Sequence, residues 1–313
     1  LTYNTNLVTV DLKKNNQISE LYLNNNPLLK SLLLYDNGSV SILEIGNSPE
    51  LESLIIHDNP IKNLDLSNSS KIINMRMWNL DLENFDLSNQ TQLETLRAQN
   101  IFKSAGKTID LTNNSSLKII DLRNNYLQNI DLSNNSDAEI VLLSENNLSS
   151  IDLTNNSKIK VLSVYNNDIT SLDLSSINSL HILRGHQNDF LCINLSEDQL
   201  NNIPPSCQDL DLPVNYDPNN PDQETCYGWE LININQIYDY SSTWEIPQGA
   251  TYSLNCSEDN GRTFIPDDNF EQVLIDLGYD DVLDDYILTL NISEDNTLDI
   301  SDKNISDLTG IED

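Results

Sequence analysis

A 21-residue phrase recurs along the first two thirds of the chain, and this period constrains the fold more than any other feature. From Leu51 onward, lines of the form LxxLxL begin at alternating steps of 10 and 11 residues, except where IFKSAGKT (101–108) adds three residues. Similarity at a fixed period is typical of a solenoid, in which each coil buries its apolar edge by stacking on its neighbours. We therefore predict a repeat solenoid of about nine coils over residues 1–196. We expect a loop to bulge at 101–108, and we interpret the start at LTYNTNL as lying inside a repeat of a longer protein.

Each half of the 21-residue unit has the apolar period of a strand. The last two apolar residues of each LxxLxL line are two positions apart, so they share one side of an extended chain while the residues beside them point outward. The NN pairs that follow suit a tight turn, because Asn tolerates left-handed backbone and bonds to neighbouring amides. The pattern predicts a mainly β solenoid with two short parallel strands per coil.

The repeat resembles a known family. The segment IKVLSVYNNDITSLDLSS (159–176) fits LxxLxLxxNxLxxLDLxxN, the 21-residue bacterial class of the leucine-rich-repeat family, as found in multi-array secreted or surface proteins of Bacteroidetes. The resemblance covers residues 1–196. It implies a non-catalytic, often surface-exposed scaffold for binding.

One outward column is nearly constant. It consists of Asp65, Asp86, Asp110, Asp131, Asp152 and Asp173. Carboxylates stacked on neighbouring coils repel one another, so local contacts must favour them. We expect this Asp ladder to accept hydrogen bonds from turn amides and from the Ser or Thr that follows each Asp. Calcium held between coils by these hard oxygen ligands is the alternative, although no DxDxDG loop occurs.

The other outward positions vary from coil to coil and are rich in arginine and rings. Such side chains dominate recognition surfaces because they provide large contact areas and several donors. The candidate ligand-binding residues are Tyr35, His57, Arg76, Trp78, Arg97, Gln99, Arg123, Tyr165, Arg184 and His186. Drift of an unconstrained surface is the alternative explanation.

Charge and motifs narrow the classes of function. With 16 Lys and Arg against 49 Asp and Glu, the net charge is −33, which repels nucleic acid and anionic membranes. No run approaches the roughly 20 apolar residues of a membrane span. The sequence contains no GxSxG, HExxH, P-loop or GxGxxG motif, so we expect neither an enzyme nor a cofactor.

Beyond residue 196 the period is lost and two further segments follow. All four cysteines, Cys192, Cys207, Cys226 and Cys256, lie in one 65-residue window without CxxC spacing. We expect two disulfides in a secreted protein, of undetermined pairing, with a metal site as the alternative. We also expect a capping segment at 197–260. Its aromatic residues, including Trp229 and Trp244, form either the core of this segment or a sugar platform.

Residues 261–313 begin anew. Pro266 and Asp267 open a predicted helix with an apolar stripe, and Gly278 ends it. The stripe consists of Phe270, Val273, Leu274 and Leu277. Fresh repeat lines follow, which resemble the helical N-terminal cap and first coils of a second array, so we expect the parent protein to continue. The acidic DDVLDD (280–285) is either a solvated turn or a calcium site.

The leading hypothesis is a secreted or cell-surface recognition or adhesion module that binds a protein partner through the variable positions. Binding of an acidic polysaccharide through the same face, and a spacer in a long surface protein, are the alternatives. The apolar first coil also favours end-to-end self-association of the chain.

Overall fold

The computed structural model describes residues 1–190, 192–206, 243–246, 250–253, 262–280, 282–283, 286–288, 298, 300–301, 303–309 and 311. Within these residues the chain is a mainly β parallel solenoid of about nine turns, as the period predicts. Each coil contributes a strand to one long sheet, because the alternating apolar residues must face the interior while their neighbours face out.

The long sheet contains ten parallel strands, each in register with the strand of the next coil. Its strands, in spatial order, are β1 (Thr9–Asp11), β3 (Ser31–Tyr35), β5 (Ser53–His57), β6 (Asn74–Trp78), β7 (Thr95–Gln99), β8 (Ile119–Asp121), β9 (Ile140–Leu142), β10 (Val161–Ser163), β12 (Ile182–Arg184) and β14 (Thr243–Glu245). The first nine are the strands of the variable lines, and β14 comes from the segment after residue 196. We call the outward side of this sheet the variable face.

The opposite side of the solenoid differs from the expectation of a second continuous sheet. Strands pair there only near the ends of the described solenoid: β2 (Glu20–Tyr22) with β4 (Ile42–Glu44), and β11 (Ser171–Asp173) with β13 (Cys192–Asn194) and β15 (Thr251–Ser253). In the coils between them, the amide two residues after each Asp donates to that carboxylate, for example Ser133 N to Asp131 Oδ1 at 2.8 Å. This bond lies within a single coil, while buried asparagines such as Asn135 donate to carbonyls of the preceding coil.

Buried asparagines join neighbouring coils at the end of the variable strands. From Asp36 to Gln187, the first residue of each of these turns adopts left-handed backbone, with φ between 48° and 58°, and the second residue is buried. Asn146 shows the pattern: its Nδ2 donates to the carbonyls of Leu122 and Leu143, and its Oδ1 accepts from the amides of Asn125 and Leu127. Asn125, Asn167 and Asn188 repeat the carbonyl contacts.

Two adjacent coils lack this asparagine. Leu80 and Ile101 occupy its position, and both are buried in the core. Backbone hydrogen bonds replace some of those that the asparagine makes in other coils, since Leu82 N donates to the Ile101 carbonyl at 2.8 Å. The insertion that follows is narrower than the predicted loop at 101–108. Phe102 is 1% exposed and packs in the core, while residues 103–106 are exposed.

The described part of the segment after residue 196 adds a further rung. A short helix, α1 (Glu197–Leu200), begins at the capping box of Ser196 and Gln199. Later in the chain, β14 pairs with β12 and β15 pairs with β13, both parallel. Trp244 aligns with Leu183 and is buried in the main core. Trp244 is therefore a core residue, whereas Trp229 lies outside the described residues. Residues 243–245 and 251–253 thus add strands to the solenoid beyond the boundary that the loss of period at 196 suggests.

Cys192 in β13 is buried and disulfide-bonded. Cys207, Cys226 and Cys256 lie outside the described residues, so the pairing of the cysteines stays a prediction. The same holds for the capping role of 197–260.

The last described residues form a small unit with its own core. Helix α2 (Asp268–Asp276) starts at the N-cap Asp267 and is followed by Gly278 in left-handed backbone. Its buried residues include Phe270, Val273 and Leu274, but Leu277 is 47% exposed because it lies at the C-cap. Strands β16 (Arg262–Phe264) and β17 (Tyr286–Leu288) pair antiparallel. Residues 281, 284 and 285 of the DDVLDD stretch lie outside the described residues, so its role stays a prediction.

In the part of the chain that the structure describes, no helix has the length and apolar character needed to cross a membrane.

Candidate recognition site

Two of the outward columns of the variable face carry the candidate residues, and the register brings each column into line. The first of these two columns consists of Asp11, Leu33, Ile55, Arg76, Arg97, Asp121, Leu142, Ser163 and Arg184. The second column lies two residues later: Lys13, Tyr35, His57, Trp78, Gln99, Arg123, Ser144, Tyr165 and His186. All ten candidate ligand-binding residues belong to these two columns, as the repeat alignment predicts.

Three rings on adjacent strands form a continuous stack, which we call the aromatic stack. The Tyr35 and His57 centroids are 4.5 Å apart with the planes 18° from parallel, and those of His57 and Trp78 are 3.8 Å apart at 12°. Lys13 Nζ lies 5.6 Å from the centre of the Tyr35 ring. The stack arises because parallel strands in register place equivalent side chains one strand spacing apart, about 4.8 Å.

Beside the stack, the first column places both charged and aliphatic side chains at the surface. Arg76 is exposed, and its Nε donates to Asn74 Oδ1 at 3.2 Å. Leu33 and Ile55 are half-buried on the neighbouring strands. Together with Tyr35 and Trp78, they make an open patch of rings, aliphatic groups and one guanidinium on the first coils of the face. This combination is typical of the centre of a protein interface.

At the middle of the face a charged cluster is buried. The Asp121 carboxylate is fully buried and accepts from Arg123 Nε and Nη2, each at 2.9 Å, and from Gln99 Nε2 at 2.6 Å. Arg97 Nη1 lies 3.7 Å from the same carboxylate. Arg123, Gln99 and Arg97 therefore hold a carboxylate of this chain, and Arg123 is only 7% exposed.

The side chains that point outward from β9, β10 and β12 on the variable face are buried. Ile140, Leu142, Val161 and Ile182 point outward from their strands yet form a buried cluster of their own. Arg184 was expected to contact a ligand, but it is 2% exposed and donates to the Leu183 and Thr243 carbonyls and to Thr243 Oγ1. Its guanidinium thus serves the junction with β14.

A second, shorter ring stack lies directly after strands β10 and β12. The half-buried Tyr165 and His186 have centroids 5.0 Å apart and nearly parallel planes. Burial lowers the pKa of His186 below its ordinary value. Tyr165 OH also donates to Glu145 Oε1 at 2.8 Å.

The alignment of the repeats does not single out Asp36 and Asp58, which the structure places beside the aromatic stack. His57 Nδ1 lies 2.7 Å from Asp58 Oδ2 and 4.0 Å from Asp36 Oδ1. Both aspartates occupy the left-handed position directly after a strand. Each directly follows a residue of the second column, Tyr35 or His57, so a search one residue beyond that column could have found both aspartates.

The Asp ladder lies on the opposite side of the solenoid from the variable face. Each carboxylate accepts from the amide two residues later, and some also accept from the hydroxyl, as Thr112 Oγ1 donates to Asp110 Oδ1 at 2.6 Å. These bonds to the following Ser or Thr hold the carboxyl pKa below its ordinary value at five positions: Asp65, Asp86, Asp110, Asp131 and Asp152.

The lowered carboxyl pKa values predict an acid-sensitive contribution of the ladder to folding. Because the folded pKa lies below the unfolded one, the contribution is full above about pH 4 and is lost as the pH falls through the folded values. The variant D110N/D131N keeps an acceptor oxygen at both positions but does not titrate. The free energy of unfolding, measured in urea, should therefore decrease less for this variant than for the wild type as the pH falls from about 6 to about 2.5. Equal slopes would contradict the prediction.

Comparison with known proteins supports the fold. No protein-family model matches the chain, and no curated protein sequence matches it. Among solved structures, the functional domain of InlJ from Listeria monocytogenes, which includes a cysteine ladder, is similar with a TM-score of 0.55 and 22% identity. The match covers 61% of this chain and 44% of the InlJ chain, so this chain spans less than half of that domain.

Two further leucine-rich structures are similar at lower scores. Internalin C2 from Listeria monocytogenes has a TM-score of 0.44 and 19% identity, over 62% of this chain and 76% of its own. The leucine-rich effector YopM from Yersinia pestis has a TM-score of 0.44 and 21% identity, over 57% of this chain and 55% of its own. The stacked parallel coils and the similarity to the InlJ domain together show that this chain has the leucine-rich-repeat fold.

Proposed function

We propose that the chain is a non-catalytic recognition module, secreted or at the cell surface, that binds a protein partner through the first coils of the variable face. The observation that carries the proposal is the open patch around the aromatic stack, with exposed Arg76 beside Trp78 and half-buried Leu33 and Ile55. Ring and Arg side chains beside aliphatic groups are the composition of interface hot spots.

The proposed contact surface is smaller than the ten candidate residues of the sequence analysis. Tyr35, Arg76 and Trp78 remain as the principal contacts, with Arg97 and Gln99 at the edge, where they also hold Asp121. His57 is 7% exposed and acts by holding the rings beside it in place. Arg123 and Arg184 are buried and are left out of the proposed contact surface.

Charge favours a protein over an acidic polysaccharide. The carboxylates of Asp11, Asp36 and Asp58 border the aromatic stack and are about 40% exposed. An anionic polymer laid along the stack would meet these carboxylates as well as Arg76. A protein partner can match both signs of charge within one interface.

The disulfide at Cys192 supports a secreted or surface location, because disulfides persist in oxidising compartments.

The experiment is a screen of the chain against a library of extracellular protein domains, with a glycan array in parallel. Each hit is then titrated by biolayer interferometry against the wild type and the variant R76A/W78A. We expect binding to a protein that the variant weakens at least tenfold, about 1.4 kcal/mol. The variant D110N/D131N, altered on the opposite side, is the matched control and should bind like the wild type.

Three outcomes would overturn the proposal. Binding that R76A/W78A leaves intact would place recognition elsewhere. Binding to an acidic glycan that falls steeply with added salt would favour the polysaccharide alternative. Absence of any binding in both screens would favour a spacer.

A further inference from the structure

We propose that Asp36, His57 and Asp58 form a binding site for a divalent metal ion of the zinc class at the edge of the aromatic stack. Each of these side chains offers one ligand atom, and the three atoms lie within 4.8 Å of one another. The inference does not depend on the proposed function, because it concerns ligand chemistry rather than a partner.

The imidazole is held in a fixed orientation. Tyr35 covers one ring face of His57 and Trp78 covers the other, with centroids at 4.5 and 3.8 Å. The side chain is 7% exposed, so its plane cannot turn freely. The Nδ1 edge faces the two carboxylates. A ligand nitrogen aimed at two carboxylates by packing on both faces distinguishes this group from an ordinary cluster of surface acids.

The carboxylates come from equivalent positions of adjacent coils. Asp36 and Asp58 follow β3 and β5 directly, both in left-handed backbone with φ of 55° and 53°. Asn79 Nδ2 donates to Asp58 Oδ1 at 2.6 Å, which leaves Asp58 Oδ2 turned toward His57. Across the described residues, the only salt-bridge partner of either carboxylate is His57, and the chain as a whole is strongly acidic. A bound cation would offset the negative charge of the two carboxylates.

The distances suit a small metal ion. Zinc binds His nitrogen and carboxylate oxygen at about 2.0 to 2.2 Å in a tetrahedron, which places ligand atoms about 3.3 Å apart. The observed separations from His57 Nδ1, 2.7 Å and 4.0 Å, lie on either side of this value. Small rotations of the two exposed carboxylates would equalise them. Three protein ligands leave a fourth position for water. The imidazole selects late first-row metals over magnesium and calcium.

The chain contains a natural control for this site. Tyr165 and His186 repeat the stacked pair on later coils, and the positions equivalent to Asp36 and Asp58 hold Asn166 and Gln187. A uniform effect of zinc on stacked histidines would therefore appear at both places, whereas a built metal site would appear only at His57.

The test is titration of the intact chain with zinc chloride near neutral pH, followed by calorimetry and by long-range 15N–1H spectra of the histidines. Only three histidines are present, so each can be assigned by substitution. We expect saturable binding of one ion that shifts the Nδ1 signal of His57 and leaves the His186 signals in place. The same chain should not respond to magnesium.

Isosteric variants separate the site from non-specific binding to an acidic surface. D36N/D58N should weaken zinc binding at least tenfold while keeping the shape of the turns, and H186Q should bind like the wild type. If H57Q folds, it should match D36N/D58N. Equal zinc affinity in wild type and D36N/D58N would overturn the proposal. So would His57 signals of a protonated imidazolium that zinc leaves unchanged, since His57 would then only pair with the two carboxylates.

Discussion

Replacing Asn146 with alanine is expected to lower the free energy of unfolding by about 3 to 5 kcal/mol. The buried side chain satisfies the carbonyls of Leu122 and Leu143 and the amides of Asn125 and Leu127, all within 3.0 Å. Alanine would remove these bonds at a position that is largely shielded from water. Because the bonds join neighbouring coils, the loss should weaken the stacking of the whole array rather than one turn. Urea unfolding followed by circular dichroism measures the effect.

The adjacent Asn147 provides the control, because it is exposed while Asn146 is 7% exposed. Asn147→Ala should change the free energy of unfolding by less than about 0.5 kcal/mol. Similar losses for the two variants would show that the buried asparagine is not what joins the coils.

Replacing Asp121 with alanine is expected to cost about 3 to 5 kcal/mol of folding stability. The fully buried carboxylate accepts both guanidinium bonds of Arg123 and the bond of the Gln99 amide. Removal of the carboxylate would leave a largely buried guanidinium without its bidentate acceptor. Since the pair is shielded from solvent, the cost should change little with salt. The double variant D121A/R123A should cost less than the sum of the single variants.

The first coil contains the matched control for this cluster. Asp11 and Lys13 occupy the same two columns as Asp121 and Arg123, and their 3.1 Å salt bridge has side chains 43% and 40% exposed. Exposed pairs of this kind contribute little because water competes for both charges. Asp11→Ala should therefore unfold like the wild type within error. A large loss at Asp11, or none at Asp121, would contradict the account.

The solenoid itself could be predicted from the sequence because its cause is periodic. Spacings of 10 and 11 residues bring Leu54, Met75 and Leu96 onto one line, and the register of the long sheet confirms that alignment. Left-handed turns at Asn positions such as Asn124 also follow from the local chemistry of the side chain. The prediction of a second continuous sheet was wrong for the middle coils, because apolar alternation does not tell whether neighbouring coils exchange backbone hydrogen bonds.

The accessible part of the variable face could not be read from the sequence. The alignment shows that Arg76 and Arg184 point outward from equivalent positions, but not that Arg76 is exposed and Arg184 is 2% exposed. That difference depends on packing across the face. For the same reason, the burial of Asp121 and the approach of Asp36 and Asp58 to His57 follow from three-dimensional contacts rather than from the period.

The central claim is that the first coils of the variable face carry recognition. Hydroxyl-radical footprinting of the chain with a partner from the extracellular screen tests it most directly, because rings are labelled in proportion to their exposure. Tyr35 and Trp78 lie on the proposed surface, while Tyr22 lies on the opposite side and is 37% exposed. The account predicts slower labelling of Tyr35 and Trp78 in the complex, with the Tyr22 rate unchanged. Protection of Tyr22 with unchanged labelling of Trp78 would contradict it.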